Sequence, residues 1–218
     1  MIKSLNHITV LTNIPFKINE TRVLRELRIP AKKNLDDPAE SRLKKELKNI
    51  IGMAYGLICG KACYCTFQIK DISENKVILD KSETLINSKK IAGILKDCEY
   101  CSLFVSTIGP QLEGRVAEME KDNPSGAFYL EHVGNWMAEY MAEAINQRIS
   151  QAITKAGFIP KKRYSAGYGD WPLESQKEIL ELTGARRIGV FISESYLMIP
   201  RKSVSALIGW GRKEVNKG

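Results

Sequence analysis

The run Arg163-Tyr164-Ser165-Ala166-Gly167-Tyr168 is the part of this chain best equipped for chemistry. A guanidinium offers a planar fork suited to a carboxylate, a glycine lets a ligand approach the backbone, and an adjacent tyrosine adds a flat apolar face with one polar tip. Those are the needs of an amino-acid or nucleoside ligand. A plainer use competes with this one: Arg163 can pair with a structural carboxylate, and Gly167 can take a turn conformation. The stretch continues through Pro172 and the triplet Glu194-Ser195-Tyr196 to Pro200 and Trp210, with little helical periodicity. It reads as the material of a site more than of a core.

Other chemistries find less support. The two histidines, His7 and His132, lie far apart in sequence, so no Ser-His or Cys-His nucleophile is indicated. Neither a Walker loop nor a paired-glycine dinucleotide fingerprint is present. No catalytic residue is therefore assigned, and binding and positioning are expected instead of autonomous catalysis. Cys59, Cys63, Cys65, Cys98 and Cys101 make an odd count in a chain with no secretory signal, which argues against a disulfide framework. Their spacing also suits zinc or an iron-sulfur cluster. Cys63 and Cys65, however, alternate with Tyr64 and Thr66 as in a strand, where small buried thiols are common, so no metal is assigned.

The chain has 218 residues, 44% of them hydrophobic, and a formal charge of +8. That suffices for one sizeable core without staples. No apolar run approaches the length that spans a bilayer, so a soluble, cytoplasmic protein is expected, with no membrane partner. The positive charge favours an acidic partner. Its basic runs, Lys44 to Lys48, Lys161 to Arg163, Arg186 to Arg187 and Arg201 to Lys202, lack the aromatic interleaving of an RNA-binding sheet, which counts against nucleic acid.

The elements that must carry the site follow from periodicity. Ile14 to Ile18 reads as extended and Thr21 to Leu27 as a short helix. Asp37-Pro38-Ala39-Glu40 reads as a capping box, and Leu43, Leu47, Ile50, Ile51 and Ala54 recur behind it at helical spacing. Cys63 to Ile69 alternates like a strand able to pair with Val77 to Leu79. A helix around Ser88 to Lys96 precedes a buried strand at Ser102 to Ser106. A chain break at Asp122 to Gly126 leads to the longest helix, Ala127 to Ala156, along which Glu131, Glu139 and Glu143 are expected to face solvent. Asp170 and Pro172 are expected to start a helix through Leu182. Tyr196 to Ile199 is expected to turn at Pro200 to Lys202 into a hairpin with Val204 to Ile208. Strands separated by helices imply a mixed α/β or α+β sheet, and the lack of repeats and linkers implies a single domain over residues 1–218.

Several of these residues also match a known pattern. Arg163-x3-Gly167-Tyr168-x3-Pro172, followed by Glu194-Ser195-Tyr196-x-Met198-x-Pro200-x2-Ser203-Val204-Ser205, resembles the reactivation domain of cobalamin-dependent methionine synthase. Asn135 to Glu143 is similar to that family's long helix and Phe104 to Gly109 to its buried strand and turn. The likeness is strong over Tyr100 to Trp210 and weak before it. The resemblance implies an α/β domain with a bent, mostly antiparallel sheet and flanking helices, which binds S-adenosylmethionine. It implies docking on a cobalamin-carrying methionine synthase or related corrinoid protein, where an electron from flavodoxin or another reductant, and a methyl group from S-adenosylmethionine, restore methylcobalamin from cob(II)alamin.

By the same resemblance Arg163 grips the ligand carboxylate, the backbone of Ala166, Gly167 and Tyr168 lines the nucleoside, and Glu139 approaches the ligand's positive end. Glu194, Ser195 and Tyr196 form a possible corrinoid or ligand face. The family's N-terminal Asp-Trp-Thr-Pro-like segment has no counterpart among Thr21 to Asp37, and its paired tyrosines beyond the Ser-Val-Ser strand are not found. The expectation is a separate reactivation subunit that does not turn over alone, with the corrinoid on another chain. The alternative is a docking or chaperone module that has lost the ligand.

Overall fold

A computed structural model describes residues 5–15, 23, 38–80 and 85–212. Its centre is a seven-stranded sheet built from β1 (Thr9–Leu11), β2 (Lys61–Ile72), β3 (Lys76–Leu79), β4 (Leu85–Asn87), β5 (Cys98–Thr107), β6 (Ile159–Pro160) and β9 (Ser203–Gly211). The order is β4-β3-β2-β5-β9-β6, with β1 also on β2, and every pairing of these strands is antiparallel. The long β2 serves two neighbours on one edge: β1 takes its first half and β3 its last, with a register irregularity between Ile69 and Asp71. This is the mostly antiparallel sheet with flanking helices that the family resemblance implied.

Both faces of the sheet are covered, which is why its central strands β5 and β9 are buried at nearly every position. On one face Cys63, Cys65 and Phe67 of β2 and Cys101, Leu103 and Val105 of β5 pack with α2 (Lys89–Leu95) and α5 (Gln176–Thr183). On the other, Phe104, Ala206, Ile208 and Trp210 meet Ala142, Ile145, Ile149 and Ile153 of the 32-residue α4 (Pro124–Lys155). A third cluster joins α4 to α1 (Pro38–Leu57) and α3 (Gln111–Asp122). There Gly134 permits a close approach, because a Cβ on it would lie 2.5 Å from Cδ2 of Leu112.

Four expectations need correction. Asp122 to Gly126 is less a break than a helix start: Asn123 accepts a hydrogen bond from the Gly126 backbone at 2.9 Å and Pro124 fills the first position, so α4 begins before Ala127. Helix α3, with Leu112, Val116 and Met119 buried on one side, occupies a stretch for which no helix was expected. The chain from Tyr196 does not form a hairpin with β9. β8 (Met198–Ile199) pairs with β7 (Phe191–Ile192), while β9 is taken by β5 and β6. Finally, Asp170 does not cap the helix after it. That helix follows a 3-10 turn at Leu173–Ser175, and Asp170 bonds to α2 instead. The helix over Thr21 to Leu27, Val23 excepted, most of the Ile14 to Ile18 piece and Asp37, on which the capping box depends, lie outside the described residues, while the helix expected behind that box is α1 from Pro38. Among the described residues no helix is long and apolar enough to cross a membrane.

Candidate functional site

Arg163 is placed by the return of the chain after α4. At the helix end Gly157 turns with φ +91°, and Phe158 enters an edge-on aromatic trio with Tyr100 and Trp210, its ring centre 5.5 Å and 5.8 Å from theirs. From there the chain runs back along β9. Ile159 pairs with Gly211, Lys161 donates to the Gly209 carbonyl at 2.9 Å, and Tyr164 and Leu207 exchange backbone hydrogen bonds at 3.0 and 2.8 Å. Because α4 packs over the same strand, Arg163 arrives beside the helix it has just left.

Its guanidinium donates to Glu139 through Nη2, and its Nε lies 3.6 Å from Glu143 Oε2. The two glutamates are four residues apart, hence neighbours on one helix face. Arg163 is 18% exposed while Glu139 and Glu143 are 60% and 44% exposed, so the carboxylates carry the wet side of the cluster. Both readings of Arg163 thus meet at one place, since the arginine has carboxylate partners and also faces open space. Glu139 and Glu143 are partly solvated as expected, but they are not idle.

That space is a cavity of about 720 Å³, large enough for a nucleoside-sized ligand. Glu139, Arg163, Ala166, Gly167 and Tyr168 all line it, so the structure brings together the five residues expected to hold one ligand. Gly167 adopts φ +88° and donates to the Trp171 carbonyl at 2.8 Å. A Cβ there would also press on Leu173 at 3.0 Å, so glycine is needed for both conformation and space. Tyr168 is 67% exposed and Trp171, three residues on, is fully buried, so the loop is anchored at one end and open at the other.

Asp170 supplies a second anchor. Its carboxylate accepts from the Ser88 hydroxyl at 2.7 Å and from the backbone N–H groups of Lys89 and Lys90 at 2.7 and 3.3 Å, tying the loop to the start of α2. The Ser88 hydroxyl, then those backbone donors, hold the Asp170 carboxyl below its usual range.

Glu194, Ser195 and Tyr196 do not line the cavity. They form the tip of the β7–β8 hairpin, where Tyr196 sits at φ +60° and the Ser193 and Ser195 hydroxyls are 3.0 Å apart. Around them Phe191, Leu197 and Ile199 are exposed, and only Met198 of this hairpin reaches the cavity wall. Gln176 is a lining residue that sequence reasoning passed over; Glu143 was read only as a solvated helix residue, and Ser203-Val204-Ser205 entered only as part of the family motif.

Five free cysteines complete the inventory, and all but Cys59 are buried. Burial pushes the thiols of Cys63 and Cys98 up to about 11 and raises that of Cys101 as well, so these are inert core groups at neutral pH. Among the described residues no group of three or more His, Cys, Asp or Glu is placed to hold a metal ion.

Comparisons with known proteins bear on this arrangement. The family model described as "Vitamin B12 dependent methionine synthase, activation domain" matches residues 86–214, more than half of the chain and all of the cavity. Among solved structures, the chain is similar to one reported as "Crystal Structure of the MetH Reactivation Domain bound to AdoHcy", with a TM-score of 0.66 at 14% identity. That likeness covers 97% of this chain and 80% of the other, so the shared fold extends beyond residues 86–214. No match is found among curated proteins.

Proposed function

Starting from the fact that this chain belongs to the activation-domain family of vitamin B12-dependent methionine synthase, we propose that its cavity binds S-adenosylmethionine and presents the methyl group to a corrinoid carried by a partner protein. One observation carries the reading: five residues expected to meet one ligand, from two elements distant in sequence, line one cavity of matching size. The ligand has a carboxylate, an ammonium, a sulfonium and a flat base. Arg163 answers the carboxylate and Glu139 with Glu143 the cationic groups. Lys162 also lines the cavity, so two cations stand against Glu139 and Glu143, and recognition rests on which group meets which and not on an excess charge. Ala166 and Gly167 offer backbone to the nucleoside, and exposed Tyr168 stands at the opening.

The corrinoid, held by the partner, would supply the redox chemistry and receive the methyl group. What this chain contributes is orientation: a donor fixed at both ends cannot swing its methyl away from a docked acceptor. The exposed apolar hairpin Phe191–Ile199, with Glu194, Ser195 and Tyr196 at its tip, is our choice for the face turned to that partner. A reductant such as flavodoxin completes the scheme as a separate component.

A second reading has its own observation. Arg163 already has two carboxylate partners, so a docking or chaperone module that no longer takes the ligand would look the same at this position. Calorimetry with S-adenosylmethionine on the purified chain, beside Arg163→Ala, separates the two. Binding by the wild type that weakens in the variant supports the first. No binding, with docking to a corrinoid protein retained by both, selects the second.

A further inference from the structure

A second cavity, of about 450 Å³, lies between the end of α5, the 3-10 turn Ala185–Ile188 and β7, and shares no lining residue with the first. That is room for a small organic molecule. Part of its wall is apolar: Leu180 and Val190 are buried members of the core and Ile192 is half-buried. The rest is basic, with Lys177, Arg186 and Arg187 against one carboxylate, Glu181, among the described lining residues. None of these four side chains has an ion pair among the described residues.

Local geometry presets both arginines. Gly184 at φ +68° and Gly189 at φ +78° bracket the turn that carries them, each in the left-handed region that glycine enters freely. A Cβ on Gly184 would lie 3.4 Å from Nε and 3.5 Å from Cδ of Arg187, so the arginine stem rests on the glycine. Arg186 stands over the Phe191 ring, 6.0 Å from its centre. Lys177 and Glu181, four residues apart on α5, share one helix face and offset each other. Two guanidiniums on consecutive residues are left without a counter-charge in the wall.

That combination selects a ligand class. An inorganic anion would meet the guanidiniums and leave the apolar wall wet, whereas a hydrocarbon would cover the wall and desolvate the guanidiniums without giving them a partner. A carboxylate on an apolar body satisfies both, because a guanidinium is weakly hydrated and its planar fork matches a carboxylate. We propose that the second cavity binds a small organic carboxylate with an aliphatic or aromatic body, its head group held by Arg186 and Arg187 and its body lying on Leu180, Val190 and Ile192. This assignment is independent of what the first cavity holds.

Three probes that share one body and differ in the head group test it. Phenylbutyrate, phenylbutanol and phenylbutylamine, each with the ring at the chain end, are titrated into the isotope-labelled full chain and followed by backbone amide chemical shifts. The acid should bind at least about tenfold more tightly than the alcohol, and the protonated amine more weakly than either. The shifts should centre on Leu180, Gly184 and Val190. Arg187→Gln, at an exposed position, should remove most of the acid's advantage and leave the alcohol's affinity within about twofold. Ile192→Trp, which fills the apolar wall, should weaken acid and alcohol alike by about tenfold or more. Should the tryptophan disturb the fold, the head-group series and Arg187→Gln decide. Equal binding of acid and alcohol overturns the inference, as does an Arg187→Gln chain that keeps the preference for the acid. So do shifts centred on Leu197 and Ile199 of the exposed hairpin, or no binding of any probe.

Discussion

Helix α4 meets cations at two places, and the contrast between them separates architecture from function. At Glu131 the cation is Lys202, whose side chain is 4% exposed; its ammonium donates to Glu131 and, at 2.6 Å, to Asn135, and its backbone N–H donates to Glu113 at 2.7 Å. Arg201 adds longer contacts to Glu113 at 3.8 Å and Glu131 at 3.9 Å. Two turns further along, Glu139 and Glu143 meet Arg163 with their side chains about half exposed, Glu143 also accepting from the Asn146 and Gln147 side-chain amides at 3.3 Å. Lys202 itself is sealed, though Arg201 and Glu131 reach solvent, so breaking its pairs would strand the ammonium out of reach of water. The Arg163 cluster is half-open, so a ligand carboxylate and cation can exchange with its members at little desolvation cost. The first locks the turn before β9 to α3 and α4; the second is available for recognition.

The sharpest way to break this contrast is Lys202→Ala. Loss of a buried cation whose partner Glu131 is partly wet should cost about 3 kcal/mol of stability, the low end for a broken buried pair, as read by urea unfolding. A loss under about 1 kcal/mol would place Lys202 among ordinary surface pairs and dissolve the distinction. Next comes Arg163→Ala. Affinity for S-adenosylmethionine should fall about thirtyfold, equivalent to about 2 kcal/mol for a charge-assisted contact, while stability changes by no more than about 1 kcal/mol.

A matched pair on the helix itself sharpens the comparison. Glu131→Gln should cost about 1.5 kcal/mol and Glu139→Gln less than about 0.5 kcal/mol in thermal unfolding, because only the first strands a buried partner. Equal losses would contradict it. The smallest effect belongs to Asp170, the exposed extreme of the series. Its carboxyl titrates below the usual range in the folded protein, so its contribution is present above the ordinary value of about 3.9 and lost as pH falls through the lowered one. Asp170→Asn should therefore melt below the wild type near neutral pH, with the two curves converging in acid. A gap that persists or widens in acid would show that the carboxylate does not stabilise the loop through α2.

Local patterning was enough for much of the scaffold. Alternation in β2, the run in β5 and the 3.6-residue apolar stripe of α4 each reflect how many faces one element buries, and that is visible residue by residue. The misreadings share a cause. Met198 and Ile199 are locally as able to pair with β9 as with β7, yet β9 already has β5 along its full length, so the local pattern held no information about the choice. Asp170 has the composition of a helix cap, and it is one, but for a helix 82 residues away in sequence. Glu131 has the pattern of a solvated helix residue until Lys202 arrives from 71 residues further on.

By itself, the sequence determined which chemical groups are available. Arg163, Gly167 and Tyr168 sit within six residues of one another, and the motifs around them identify the family, because covalent proximity needs no fold to establish it. Only the tertiary structure decided which of those groups meet. It set Arg163 against Glu139 and Glu143, placed Gln176 in the cavity wall, and sealed Lys202 in place. Those outcomes depend on the phase of α4 over β9 and on which donors are cut off from water. Both are properties of packing between segments distant in the chain, and no local run of residues specifies them.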